Sequence, residues 1–117
     1  MDRKADEEFP RRRRIVKSSD YRSLYAKGRR YDAGRFVIFG QPNTLGHHRL
    51  GLTVSRKAGG AVARNRIKRL FREIFRRNSA DIPSHFDLVV NARRECGTVT
   101  YAVLREEFIS AARKICR

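Results

Sequence analysis

The stretch RKAGGAVARNRIKRLFREIFRR, residues 56–77, decides how the rest of the chain is read. Ile67, Leu70, Phe71, Ile74 and Phe75 recur at i, i+3, i+4, i+7 and i+8, the spacing that lines up one apolar stripe on an α-helix. Arg64, Lys68, Arg72 and Arg76 recur every fourth residue as a second row, with Asn65 and Arg69 beside it. The stretch predicts a helix entered through Gly59-Gly60 and ended near Asn78 and Ser79, with one face in a core and the adjoining face a ladder of cations. Nine of its 22 residues are Arg or Lys and one, Glu73, is acidic, a net +8 that is half of the +16 of the whole chain. A merely solvated helix face interleaves acids at i,i+4. Without them the row repels itself unless something anionic lies along it, and the anion that matches a ladder of regular charge is a nucleic acid.

The composition agrees. At 117 residues, 40% apolar and 34% charged, the chain is long enough for one domain with one core, and its pI of about 11.3 is that of a nucleic-acid binder. No apolar run approaches the ~20 residues that span a bilayer, and the amino terminus shows no apolar signal segment, so a cytoplasmic protein is expected. Cys96 and Cys116 stand far apart without a CxxC or Cys/His pattern and are expected to be free thiols. His47 and His48 are adjacent in a predicted turn and His85 is isolated; such histidines more often face solvent than hold a metal.

Residues 1–14, MDRKADEEFPRRRR, mix charges of both signs with one apolar side chain, Phe9, and predict a flexible arm before a single domain over 15–117. The Arg11–Arg14 block is a loose phosphate contact or a solvated tail. Ser18, Ser19 and Asp20 begin a short helix with Tyr21, Leu24 and Tyr25 on one face and Gly28 as its stop. The two tyrosines are core residues or rings offered to bases. RFVIFGQ (35–41) and LGLTVS (50–55) read as strands that pair as a hairpin through the loop between them. Phe86 to Asn91 is a third strand, and Thr100 caps a last helix burying Tyr101, Leu104, Phe108, Ala111 and Ile115. The order α-β-β-α-β-α, with room for an extra short strand, predicts an α+β two-layer sandwich of helices on a small mixed sheet.

A metal-dependent nuclease acting alone brings carboxylates or histidines together. The twelve acids here are scattered, and no phosphate-binding glycine loop, nucleophile with a base or Cys/His ligand spacing is found. No catalytic residue and no metal site are therefore assigned, and a binding surface remains.

Arg56-Lys57-Ala58-Gly59-Gly60-Ala61-Val62-Ala63-Arg64-Asn65-Arg66-Ile67-Lys68-Arg69-Leu70-Phe71-Arg72-Glu73 closely resembles the signature of the bacterial ribonuclease P protein subunit. The Asp-Tyr-x-x-Leu-Tyr-x-x-Gly helix and the Phe-Val-x-Phe, Leu-Gly-Leu-Thr-Val-Ser and Phe-Asp-Leu-Val-Val strands follow that family's order; residues 1–14 and the last turn lie outside it. The resemblance implies a protein that binds the catalytic RNA of ribonuclease P and the 5′ leader of precursor tRNA, and so supports endonucleolytic tRNA maturation. It implies that cleavage uses Mg2+ held mainly by the RNA, with no cofactor on the protein, no membrane and no obligate protein partner. By position, Arg56, Lys57, Arg64, Asn65, Arg66, Lys68, Arg69 and Arg72 would face the catalytic RNA, and Tyr21, Tyr25, Phe36 and Phe39 would line the leader cleft. Tyrosines stand where phenylalanine is common in the helix, and Phe39 where a tyrosine can occur, so ring stacking carries over better than any hydrogen bond. The resemblance also implies a left-handed crossover between parallel strands, against the usual hand.

Overall fold

The run FDLVVNA carries apolar side chains on both of its alternating faces, and a strand of that kind needs cover on both sides. In the computed structural model, which describes residues 9–117, it is β4 (Phe86–Ala92), with all but Asn91 buried. Three further strands, β1 (Arg29–Asp32), β2 (Phe36–Pro42) and β3 (Arg49–Val54), complete a sheet of order β1-β2-β4-β3. β2 lies antiparallel to both β1 and β4, whereas β3 runs parallel to β4. The predicted β2–β3 hairpin is thus not formed, because β4 sits between its two strands. Leu88, Val89 and Val90 are wholly buried there. The polar edges fall to β3, with its exposed Thr53, and to β1, whose sequence is RRYD.

Three helices, α1 (Ser18–Lys27), α2 (Ala61–Asn78) and α3 (Tyr101–Ile115), give the order α-β-β-β-α-β-α, the expected order with its extra short strand. α2 and α3 cover the sheet face that bears Phe36, Ile38, Leu50, Leu88 and Val90. There the Phe71 ring meets Phe36 and Phe108 edge-on at centroid distances of 5.3 and 6.0 Å. Thr100 caps α3 as expected, its hydroxyl oxygen accepting from the Val103 amide at 3.4 Å. α1 lies on the opposite face, where Leu24 joins Ile15 and Val89 in a smaller cluster. Gly28 ends α1 in an extended conformation, so its glycine answers to space rather than to handedness. A Cβ there would lie 2.5 Å from the Leu24 carbonyl oxygen and 3.2 Å from that of Gly40.

The flexible arm expected over residues 1–14 is corrected over its later part; residues 1–8 lie outside the described residues. Phe9 is 5% exposed and packs edge-on against Phe75 at 5.6 Å. Arg14 donates twice to the Phe9 carbonyl, at 3.1 and 2.8 Å, and its guanidinium lies 5.0 Å from the ring centre. Arg14 also bridges to Leu50, and the Ile15 amide donates to the Leu50 carbonyl at 3.0 Å, so this segment covers part of the free edge of β3. One phenylalanine among charges looked too little to fix a chain, but it has a core rim to fill.

His48 departs from the solvent-facing expectation. Its Nδ1 accepts from the Phe86 amide at 3.0 Å, which leaves Nε2–H to donate to the Ile82 carbonyl at 3.0 Å. The ring is 6% exposed and braces the loop before β3 against the start of β4.

Candidate nucleic-acid interface

α2 begins where Gly59 takes φ +130°, a conformation that side chains rarely adopt. Its apolar stripe is buried as the spacing predicts at Ile67, Phe71, Ile74 and Phe75, whereas Leu70 at the margin is half-buried. On the other side Asn65, Arg66, Arg69 and Arg72 are exposed and Arg64 and Lys68 half-buried; Arg56 and Lys57 are exposed on the turn before the helix, pinned by buried Ala58. Arg76 leaves the predicted row: with Arg77 it grips Glu73, at 3.1 Å from Arg76 Nε and 2.6 Å from Arg77 Nε. Hydrogen bonding to Arg76, then to Arg77, holds the Glu73 carboxyl below its ordinary range. Arg66 donates to the Gly97 carbonyl at 2.8 Å, tying the helix to the turn after β4. Among the described residues no acid pairs with Arg64, Lys68, Arg69 or Arg72, and Arg64 Nε is sealed from solvent without a partner. Cations set side by side without acids between them repel one another unless an anion lies along the row.

A groove lies beside this row, between α1 and the edge of the sheet. Tyr21 lays its ring over Gly51, where a Cβ would come within 2.7 Å of the phenolic oxygen, and donates to the Ile15 carbonyl at 3.3 Å. Burial pushes the Tyr21 phenol up. Tyr25 stands 6.4 Å from Tyr21 and edge-on to Phe39 at 5.0 Å. Its hydroxyl donates to Asn91 Oδ1 at 2.9 Å and lies 3.2 Å from Thr53 Oγ1. Phe36 is not in this groove. It and Phe39 are three residues apart on one strand, so the period of two sends them to opposite faces, and Phe36 is 0% exposed against Phe71. The cavity between the row and the rings, about 230 Å³, is lined by Phe9, Arg14, Tyr21, Leu52, Lys68 and Arg72 among others. Across Val16 and Tyr21 it adjoins a more open depression lined by Ser18, Tyr25 and Thr53.

What sequence reasoning missed is the clamp that sets α1 in place. Arg49 donates to both oxygens of Asp87, at 2.8 and 2.6 Å; Asn43 donates to Asp87 at 2.8 Å, and Asp20 at the start of α1 lies 3.7 Å from Arg49. The bond to Asp87 pushes the Arg49 guanidinium pKa up. The signal was available: an acid inside FDLVVN is bound to be buried and so requires a cation close by. Cys96 and Cys116 are free and buried, their thiols pushed up to about 11 and about 12 by desolvation. Among the described residues no three of His, Cys, Asp and Glu stand together so as to hold a metal ion.

A family model described as Ribonuclease P matches residues 9–116, which include the packed segment from Phe9. The ribonuclease P protein component of Thermotoga maritima is 37% identical over 113 residues, covering 93% of this chain and 97% of that protein. The solved structure of the Thermotoga maritima RNase P protein superposes with a TM-score of 0.80 at 34% identity, over 87% of this chain and 96% of that one. The Staphylococcus aureus RNase P protein gives 0.77 at 33% identity, over 90% and 98%. An open cationic helix row, an aromatic groove beside it and this correspondence along nearly the whole length lead to one conclusion: the chain belongs to the family of ribonuclease P protein components.

Proposed function

We propose that the chain is the RNA-binding subunit of a ribonuclease P holoenzyme, acting in the cytoplasm in the 5′ maturation of tRNA. Arg56, Lys57, Arg64, Asn65, Arg66, Lys68, Arg69 and Arg72 dock on the catalytic RNA, and Tyr21, Tyr25 and Phe39 receive the precursor-tRNA leader. The observation that carries this reading is that Lys68 and Arg72 of the cationic row line the same cavity as Tyr21, so that one side of the row is open to structured RNA and the other to a single strand. Arginines contact phosphate through planar donors, and aromatic faces hold unpaired bases irrespective of sequence. Cleavage in this reading belongs to the RNA and the Mg2+ it binds, while the protein contributes charge and position. Among the described residues no helix is long and apolar enough to cross a membrane.

Reconstitution tests the proposal. Added to a bacterial ribonuclease P RNA at low Mg2+, the protein should restore leader cleavage; no gain in cleavage refutes it. Tighter binding to ribosomal RNA than to ribonuclease P RNA at matched salt would point instead to a ribosome-associated or RNA-chaperone role.

A further inference from the structure

Of the Arg11–Arg14 block, Arg14 is taken up by Phe9 and Arg11 and Arg12 are exposed, whereas Arg13 lines a second cavity. That cavity, about 210 Å³, lies at the end of the sheet where β3 and β4 begin and α2 stops, and it shares no residue with the groove beside α1. Its polar side chains are Arg13, His47, His48, Ser79, Ser84 and His85; among the described residues no carboxylate lines it.

His48 is closed to a ligand, since both of its nitrogens are bonded to backbone. The others are open. Arg13 Nε is sealed from solvent without a partner, and among the described residues nothing accepts from the guanidinium. The hydroxyls of Ser79 and Ser84 and the ring nitrogens of His85 likewise make no hydrogen bond among the described residues. His47 Nδ1 lies 3.0 Å from the His48 carbonyl, which can only accept, so Nδ1 carries the hydrogen and Nε2 of the neutral ring is bare. Ser84 holds φ at +63°, rare for any residue but glycine, in the turn that sets His85 in the cavity wall. A guanidinium, two hydroxyls and two imidazoles that can each gain a proton supply donors and positive charge with no acid to match them. The guanidinium repels a cation, whereas an anion with several acceptor oxygens meets every open group.

We propose that this cavity is a site for one phosphate group, held by Arg13, His47 and His85, with the hydroxyls of Ser79 and Ser84 completing the donors. The site is separate from the α2 row and stands independently of the ribonuclease P reading. Because the Nδ1 hydrogen of His47 is committed to the His48 carbonyl, its Nε2 donates to the anion only in the protonated ring, so binding draws in a proton. The charged and titratable groups on the wall are Arg13 and the three histidines. Of the acids nearest in the chain, Asp81 is exposed and outside the wall, and Asp87 is gripped by Arg49 and Asn43.

Imidazole resonances test the proposal, because the chain has three histidines and His47→Gln and His85→Gln assign two of them. Inorganic phosphate titrated into the full-length protein should move the His47 and His85 signals saturably, with the same midpoint when Arg64→Ala and Lys68→Ala weaken the α2 row. Arg13→Ala should raise that midpoint about tenfold or more. Sulfate, whose own charge is constant between about pH 6 and about pH 8, should bind several-fold more tightly at the lower value as the imidazoles charge. Signals that drift without saturating, a midpoint unmoved by Arg13→Ala, or sulfate bound no tighter at the lower pH overturns the proposal. Melting curves show whether each variant is folded, and the wild-type titrations decide the case if Arg13→Ala is not. A second arm, with a bacterial ribonuclease P RNA, identifies the source of the phosphate. If the RNA backbone supplies it, Arg13→Ala weakens RNA binding and lowers its salt slope by about 1, and the RNA displaces inorganic phosphate from His47 and His85. If the source is free phosphate, Arg13→Ala leaves RNA affinity unchanged and both signals still respond to phosphate in the complex.

Discussion

Gly51 lacks a side chain where Tyr21 occupies the space one would fill. Gly51→Ala would press a methyl to within 2.7 Å of the Tyr21 oxygen, and the ring end is the part free to yield. The substitution should break the bond from Tyr21 to Ile15, at a stability cost of about 1 kcal/mol, and lower leader affinity without weakening binding of leaderless tRNA. Calorimetry and paired binding assays check this; leader affinity equal to wild type would show that the seat of Tyr21 is immaterial. The cysteines make a second residue-scale case. Both thiols are raised from an ordinary 9.0, to about 11 for Cys96 and about 12 for Cys116, so each stays protonated in the folded chain at pH values where the unfolded chain ionises. Their contribution to stability is intact below pH 9 and is lost as pH rises through those values. A disulfide-exchange reagent at about pH 8 should accordingly label neither thiol until denaturant unfolds the protein.

At the scale of elements, α2 separates stability from binding. Ile74→Ala empties a wholly buried site and should cost about 2–5 kcal/mol, whereas half-buried Leu70, which the spacing alone ranks equal to it, should cost less. Arg64→Ala with Lys68→Ala should leave the melting temperature nearly unchanged and reduce the salt slope of RNA binding by about 2. Equal destabilisation by all these variants would contradict the assignment of two faces. This helix was legible because both its faces repeat at one period over eighteen residues. The sheet was less so. Nearness in sequence suggested a β2–β3 hairpin, although the doubly apolar run FDLVVNA was itself the sign of a central strand. β1 gave no sign at all, since RRYD is an edge strand defined by its pairing to β2 and not by its own apolar pattern. In the groove, the tyrosines and Phe39 were legible as aromatic positions. Phe36 was misplaced by following a motif against the alternation of its own strand, and the Tyr25–Asn91 bond joins residues 66 apart, beyond any local pattern.

For the molecule as a whole, the excess charge gives folding and binding opposite dependences on salt. The chain carries a net +16, and the radius of gyration of its fold, 13.2 Å for the described residues, is comparable to the screening length of about 10 Å at 0.1 M salt, so at low salt each cation of the fold feels most of the others. Unfolding spreads those charges apart. The melting temperature should therefore rise between about 20 and about 500 mM salt, and rise further with an anion that binds the open row of α2. Affinity for the catalytic RNA should fall over the same range, because each phosphate neutralised releases counterions. Seven of the eight side chains assigned to that RNA are cations; if all seven meet phosphates, the logarithmic slope is on the order of −6. Melting curves and binding titrations in one salt series test both signs together. A melting temperature that falls with salt would mean that the ion pairs at Glu73, Asp87 and Asp32 outweigh self-repulsion, and that the cationic surface is at ease without its RNA.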